Sequence, residues 1–221
     1  MIQVYFQLEE FTDDRGIVHR TQRRKSHSFV QGFLKSHFLF LNGSGTNVSI
    51  TDVGGTGRSI GSNSNQFENT FLSTAPGRGG AGLTYGGRLS THANQKGSTS
   101  TNNGIVVGTG TTSVTPTDYQ LATLVADGSS SGQIEYFSSS GGTFAVAGST
   151  GSFVLERLFR NGSGGSITIN EVGVYACVGR VGRTDVNDLW HACIIRDIVS
   201  PGFAVADGAY MRVTYTISVT S

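Results

Sequence analysis

Charge and proline are both scarce in this sequence. Charged residues make up 14% of its 221 residues, against roughly 25% in an average soluble protein, and only 3 residues are proline. Glycine is abundant instead, with 32 residues, about twice its usual share. This composition disfavours a helical bundle. It favours strands joined by tight turns, because glycine reaches the positive φ values that hairpin turns need.

Other features are missing as well. No apolar run reaches the roughly 18 residues of a membrane-spanning helix, so we expect no membrane partner. The amino terminus has no basic segment followed by an apolar one, so we expect no signal peptide and synthesis in a cytoplasm. The net charge of +1 creates no overall field, so no specific nucleic-acid partner is expected. Cys177 and Cys193 form no CxxC pair, and buried free thiols are expected rather than a disulfide.

Turns and apolar segments divide the chain into three parts. Residues 1–41 are predicted to form a hairpin and then an amphipathic helix over residues 28–41. Residues 42–103 are dominated by Gly, Ser, Thr and Asn, which predicts an extended arm or long loops. Residues 104–221 contain about eight apolar segments separated by turn signals, which predicts an antiparallel β-sandwich or jelly roll. We therefore expect a mainly β fold.

Phenylalanines are concentrated in the first two parts. They include Phe29, Phe33 and Phe38 in the predicted helix, and Phe67 and Phe71 in the arm. These five are candidates for contacts between subunits, because an arm has no core of its own in which to bury them; alternatively, the helix packs on the domain's own sheet. Burying even a few of these rings would contribute several kcal/mol at roughly 25 cal/mol per Å².

A basic cluster precedes the predicted helix. Its members are His19, Arg20, Arg23, Arg24, Lys25 and His27. Arg23 and Arg24 are candidates for an inter-subunit contact, and a solvated surface is the other main interpretation. A nucleic-acid site is the weaker alternative, because acidic residues flank the cluster and no aromatic platform is interleaved with it.

A glycine-rich motif follows the apolar segment at residues 105–107. Gly108 and Gly110 are predicted to allow a tight turn away from a buried strand. Asp118, further along, can fix the loop by accepting hydrogen bonds from backbone N–H groups. The three residues are therefore predicted to shape a loop.

A second motif, Asn-Glu-Val-Gly-Val-Tyr, begins at residue 170. Gly173 is predicted to mark a bulge or a close approach of two backbones. Glu171 is predicted to accept hydrogen bonds from loop N–H groups or to pair with an arginine such as Arg157 or Arg196. A structural role is therefore expected for this carboxylate, rather than catalysis.

These motifs, in this order, resemble the anchoring domain of phage tail-collar fibre proteins. The matching segments are Val107–Gly110, Thr115–Leu121, Ile169–Tyr175 and the alternating stretch Tyr210–Val219. The resemblance covers residues 104–221, with the helix as a looser match. It implies a module that anchors a protein to a virus particle. The chain departs from the family by its long insertion at residues 42–103, and we expect no fibre shaft after residue 221.

The sequence shows no catalytic constellation. It has no GxSxG nucleophile elbow and no HExxH helix, and spacing typical of metal ligands is missing, although Asp and loop carbonyls are ligands that Ca²⁺ accepts. Asp52–Arg58 resembles a phosphate-binding loop but lacks the Gly-Lys-Ser/Thr ending and a following helix. We therefore predict no enzyme activity, no catalytic or metal-binding residues and no cofactor.

The sequence thus favours a structural protein of a tailed-phage virion, made in the host cytoplasm. It would assemble with copies of itself in a ring or lattice and contact other virion proteins, with a tail or fibre-anchoring position favoured. A capsid decoration or shell-forming protein is the alternative within this class. A carbohydrate- or receptor-binding module is the alternative from another class.

Overall fold

The computed structural model describes most of the chain. The described residues are 2–12, 18–26, 28–42, 47–61, 101–141, 144–180 and 189–221. They form strands and one helix: β1 (Ile2–Phe11), β2 (Val18–Ser26), α1 (Gln31–Asn42), β3 (Asn47–Thr51), β4 (Gly57–Gly61), β5 (Gly104–Gly108), β6 (Glu135–Gly141), β7 (Ala145–Ala147), β8 (Thr150–Arg160), β9 (Ile167–Arg180), β10 (Leu189–Val205) and β11 (Tyr210–Thr220). The expected mainly β fold is confirmed, and all pairing between these strands is antiparallel.

The larger sheet has six strands in the order β2-β1-β11-β8-β6, with β7 also pairing with β8. β1 pairs with β11 along its whole length, from Ile2 opposite Val219 to Phe11 opposite Tyr210. The predicted amino-terminal hairpin is present as β1 and β2. Both strands belong to the same sheet as the carboxy-terminal strands, so the sheet crosses the boundary that the sequence suggested after residue 41.

The smaller sheet has the order β10-β9-β5, and other segments of the chain cover both of its edges. On the β10 side, the N–H of Val30 donates to the carbonyl of Ile194 at 3.2 Å. On the β5 side, the N–H of Val125 donates to the carbonyl of Val107 at 3.0 Å. β3 and β4 form a separate two-stranded hairpin, and residues 62–100 of the predicted arm lie outside the described part of the chain.

Buried side chains from the larger and the smaller sheet form one hydrophobic core. Alternate residues of β1 and β11, such as Phe6 and Tyr215, point into it, as the two-residue period of a strand requires. The smaller sheet contributes apolar residues such as Val106 and Val174. The hydroxyl of Tyr215 also donates a hydrogen bond to Asp197 Oδ2 of β10 at 3.1 Å, so a buried polar contact joins the two sheets.

α1 packs against β10 and β3. Gly32 allows this close packing, because a Cβ at that position would collide with the carbonyl of Cys193. Just before and within the helix, the half-buried rings of Phe29 and Phe33 stack with centroids 4.0 Å apart and pack on the core. No helix in the described ranges has the length and apolar content needed to cross a membrane.

Candidate functional site

The carboxylate of Glu171 lies fully buried where β9 meets the loop after β5. Its Oε1 accepts hydrogen bonds from the N–H groups of Gly110 at 3.1 Å and Thr123 at 2.7 Å. Its Oε2 accepts one from the N–H of Ala122 at 3.0 Å. One side chain therefore binds both ends of the loop, and the predicted acceptance of loop N–H groups is confirmed.

Arg196 of β10 supplies the opposite charge and is also buried. Its Nε lies 3.0 Å and its Nη2 lies 2.9 Å from Glu171 Oε2. Its Nη1 donates to Asp118 at 2.6 Å, and its Nη2 donates to the carbonyl of Thr112 at 2.8 Å. Burial alone would lower the pKa of Arg196, but its hydrogen bonds to Asp118 and Glu171 raise it. The guanidinium thus stays charged and joins β9, β10 and the loop.

Asp118 fixes the middle of the loop, as predicted. It accepts hydrogen bonds from the N–H of Thr115 at 2.9 Å and from the Thr115 hydroxyl at 2.7 Å. Burial raises the pKa of Asp118, but these bonds and the one from Arg196 more than offset burial, so the pKa is lowered overall. The carboxylate is therefore held in its ionised form.

Gly108 and Gly110 serve close packing rather than the tight turn that the sequence predicted. Neither has a φ in the left-handed region. A Cβ on Gly108 would lie 2.5 Å from the carbonyl oxygen of Thr123, and a Cβ on Gly110 would lie 2.5 Å from Glu171 Oε1. The two glycines leave the space in which the buried carboxylate reaches the loop.

Gly173 allows two neighbouring backbones to approach, one of the two roles predicted for it. A Cβ there would lie 2.9 Å from the carbonyl oxygen of Ile195 on β10 and 2.9 Å from Leu121 Cδ2 in the loop. The N–H of Leu121 in turn donates to the Tyr175 hydroxyl at 2.6 Å. All five structural-motif residues therefore meet at one buried polar hub, formed by Gly108, Gly110, Asp118, Glu171 and Gly173 together with Arg196.

Arg157 does not pair with Glu171, although the sequence left that pairing open. It lies buried on β8 and donates to the carbonyls of Phe137 at 2.7 Å, Asn103 at 2.9 Å and Ile105 at 2.9 Å. Burial lowers the pKa of Arg157 to about 10. The sequence signal that could have revealed this role is an arginine at a core-facing position of an alternating strand. Arg157 thus ties β8 and β6 to the smaller sheet through backbone carbonyls.

The loop that resembles a phosphate-binding loop is the turn between β3 and β4. Asp52 Oδ1 accepts hydrogen bonds from the N–H groups of Gly54 at 3.0 Å and Thr56 at 2.8 Å. Asp52 Oδ2 accepts one from Arg58 Nε at 2.6 Å. The chain's own carboxylate therefore occupies the N–H groups that a phosphate would need, and the resemblance is local turn chemistry.

The candidates for subunit contacts lie in different environments. Phe29 and Phe33 pack on the chain's own core, which was the alternative interpretation. Phe38 lies in α1 but its side chain is outside the described part, as are Phe67 and Phe71. Arg23 and Arg24 are exposed on β2, and the Arg23 guanidinium lies 4.8 Å from the Tyr5 ring centroid.

An exposed apolar row, missed by the sequence reasoning, crosses one end of the larger sheet. Ile2 lies opposite Val219, and Val219 and Val146 both lie opposite Gly151. Residues directly opposite share a face. A Cβ on Gly151 would lie 2.9 Å from the ring of Phe144. Ile2 is 54% exposed, Phe144 64%, Val146 67% and Val219 50%; these four residues are the apolar row.

The apolar row lies on the core-facing side of the sheet. Val4 and Phe6 follow Ile2 with the two-residue period of a strand and are both buried. The larger sheet therefore continues past its covered core and exposes its inner face at this end. The hydrophobic pattern of a single strand does not reveal this exposure, because the exposure depends on how far the smaller sheet extends.

Comparison with protein-family models, curated proteins and solved structures finds no match to this chain. Within the described ranges, no group of three or more His, Cys, Asp or Glu side chains is placed to hold a metal ion. Cys193 is a buried free thiol, as expected, and the side chain of Cys177 is outside the described part.

Proposed function

We propose that this chain is a non-enzymatic structural protein of a tailed-phage virion that assembles with copies of itself and contacts neighbouring virion proteins. The resemblance to tail-collar anchoring domains supports a position in the tail. Three of its four matching segments supply the buried hub or the loop that the hub binds, as expected of motifs that preserve a fold. We further propose that the two sheets form a β-sandwich of the jelly-roll kind, which their shared core supports.

The observation that carries the proposal is the apolar row. Exposed apolar surface that is continuous across several strands marks interaction sites more often than isolated exposed residues do. At roughly 25 cal/mol per Å², burial of four such side chains favours association by several kcal/mol before the cost of lost motion is met. A second copy or a neighbouring virion protein covers this row in the proposed particle.

Sedimentation velocity across a range of protein concentrations tests the proposal. The wild-type chain is expected to sediment as a defined oligomer. Phe144→Ser and Val146→Ser are expected to shift the equilibrium toward the monomer, because they remove apolar area from the row. Leu34→Ser is the matched control, since Leu34 on α1 is 64% exposed and lies outside the row.

A strictly monomeric wild-type chain at high concentration would contradict the self-assembly proposal. Antibody labelling of intact particles then separates the two positions: label at the tail supports the anchoring role, and label over the capsid surface supports the decoration or shell-forming alternative.

A further inference from the structure

Among the residues that the structure describes, β2 leaves one edge of the larger sheet unpaired. It is the outermost of the described strands in this sheet and pairs there with β1 alone. In an antiparallel pair, alternate residues turn their N–H and C=O groups away from the partner. In the described part of the chain, no outward backbone group of residues 18–26 makes a backbone hydrogen bond. The edge therefore presents donors and acceptors in the pattern that an added strand needs.

The smaller sheet shows the opposite arrangement, because the chain covers its edges. Phe29 bridges to Ile195, and the N–H of Arg196 donates to the carbonyl of Ser28 at 3.2 Å along β10. Residues 123–125 cover β5 in the same way. An uncovered edge thus distinguishes β2 from the edges of the smaller sheet.

Contacts to β10 hold β2 in place from its inner face. The Arg20 guanidinium stacks over the Phe203 ring at 3.9 Å from its centroid and donates to the carbonyl of Ala204. Gln22 Nε2 donates to the carbonyl of Pro201 at 3.1 Å. An edge that is already ordered loses less entropy when a partner binds.

Positive charge lies on both faces of this edge. Arg23 and Lys25 lie opposite Gln7 and Tyr5 on the outer face, whereas Arg24 lies opposite Phe6 on the inner face. In the described structure these three cations form no ion pair. Together with Tyr5 they line one surface depression. An incoming strand would meet a cation whichever way its side chains point.

We infer that the free edge of β2 receives an extended acidic segment of a neighbouring protein as an additional antiparallel or parallel strand. That the neighbour is a virion protein rests on the proposed function; the chemistry of the edge does not. Another polypeptide backbone offers donors and acceptors in the alternating pattern of the edge, whereas the phosphates of a nucleic acid offer acceptors alone. Two copies of β2 would repel each other through like charges, so the complementary partner is acidic.

A synthetic peptide tests this inference on the full-length protein. The probe has nine residues, with three consecutive acidic residues flanked by Val and Thr, and carries a fluorophore for anisotropy. The wild-type chain is expected to bind it, and Arg24→Gln to weaken binding roughly threefold, the effect of one exposed ion pair. Neutralising Arg23, Arg24 and Lys25 together is expected to weaken it about tenfold or more. Lys35→Gln on α1 is the charge-matched control for Arg24→Gln and is expected to leave affinity unchanged.

An N-methylated peptide of the same sequence separates strand addition from simple charge attraction. Methylation of alternate backbone nitrogens keeps the charge but removes the donors, so binding is expected to fall about tenfold. Equal affinity for both peptides, no binding at all, or tighter binding of a single-stranded oligonucleotide would overturn the inference. Peptide binding by a purely monomeric chain would uphold it while contradicting self-assembly, so the two failures are distinguishable.

Discussion

The single arginine of the buried hub and the arginines of the β2 edge carry the same charge in opposite surroundings. Arg196 is buried, and its hydrogen bonds reach two carboxylates and a carbonyl of its own chain. Arg24 is exposed, and in the described structure it pairs with no carboxylate. The difference teaches which charges the chain uses to fold and which it leaves available for another molecule.

The largest expected effect comes from breaking the hub at Glu171. Glu171→Gln keeps the shape of the side chain but places an amide NH₂ against the N–H groups that donate to the carboxylate. It also removes one of the two negative charges that Arg196 contacts. Removing one partner of a buried ion pair costs about 3–5 kcal/mol of unfolding free energy, measured by urea denaturation. Glu156→Gln is the control, because the Glu156 side chain is 41% exposed and lies 3.7 Å from Arg212; a loss within about 0.5 kcal/mol is expected there. Equal losses in both variants would contradict the distinction between the two kinds of charge.

Filling the space between Gly108 and the Thr123 carbonyl is expected to have the next largest effect on stability. Gly108→Ala places a methyl group 2.5 Å from the Thr123 carbonyl oxygen. Because a backbone carbonyl cannot easily move away, we expect a loss of about 1–3 kcal/mol of unfolding free energy. Gly165→Ala is the matched control, because its Cβ would meet nothing within 4 Å and its φ is ordinary. The control is expected to be neutral or slightly stabilising. The difference between the urea midpoints of the two variants measures the effect.

Lowering the pH is expected to weaken the hub through Asp118. Its pKa is lowered in the folded state from an ordinary value of 3.8. Its stabilising contribution is therefore present above that value and is lost as the pH falls through the folded pKa. Urea midpoints measured between about pH 5 and pH 3 should fall, and should fall less steeply in Asp118→Asn. An Asp118→Asn profile parallel to that of the wild type would contradict this assignment.

The smallest effect on stability is expected at the β2 edge. Replacing both Arg23 and Arg24 by Gln should change the unfolding free energy by no more than about 0.5 kcal/mol, the range of ordinary surface substitutions. Thermal unfolding of the double variant measures it. A larger loss would show that these arginines serve the fold and would remove the contrast with Arg196.

The sequence predicted the kind of partner that a side chain takes better than the packing around it. Glu171 was predicted to accept hydrogen bonds from loop N–H groups, and it does so. The sequence did not show that Gly108 and Gly110 make room for that carboxylate, since the approach joins residues about 60 positions apart. The apolar segments at residues 189–196 and 203–205 suggested two strands, but both belong to the single long strand β10.

Two further outcomes depended on tertiary structure alone. Phe29 and Phe33 read as surplus apolar surface, but β10 and the core provide a place for them within the chain. Val146 and Val219 read as ordinary strand residues, yet they are exposed because the inner face of their sheet is uncovered at that end. Periodicity identifies the face on which a residue lies, but it does not reveal what covers that face.

Amide hydrogen exchange measured at low and high protein concentration tests the central claim most directly, because it reports on the hub and the exposed surfaces at once. We predict that the strand ends bearing the apolar row gain protection as the chain assembles, while the hub loop at residues 108–123 is equally protected at both concentrations. Protection that does not change with concentration at the apolar row, or that appears in the hub loop only on assembly, would contradict the account.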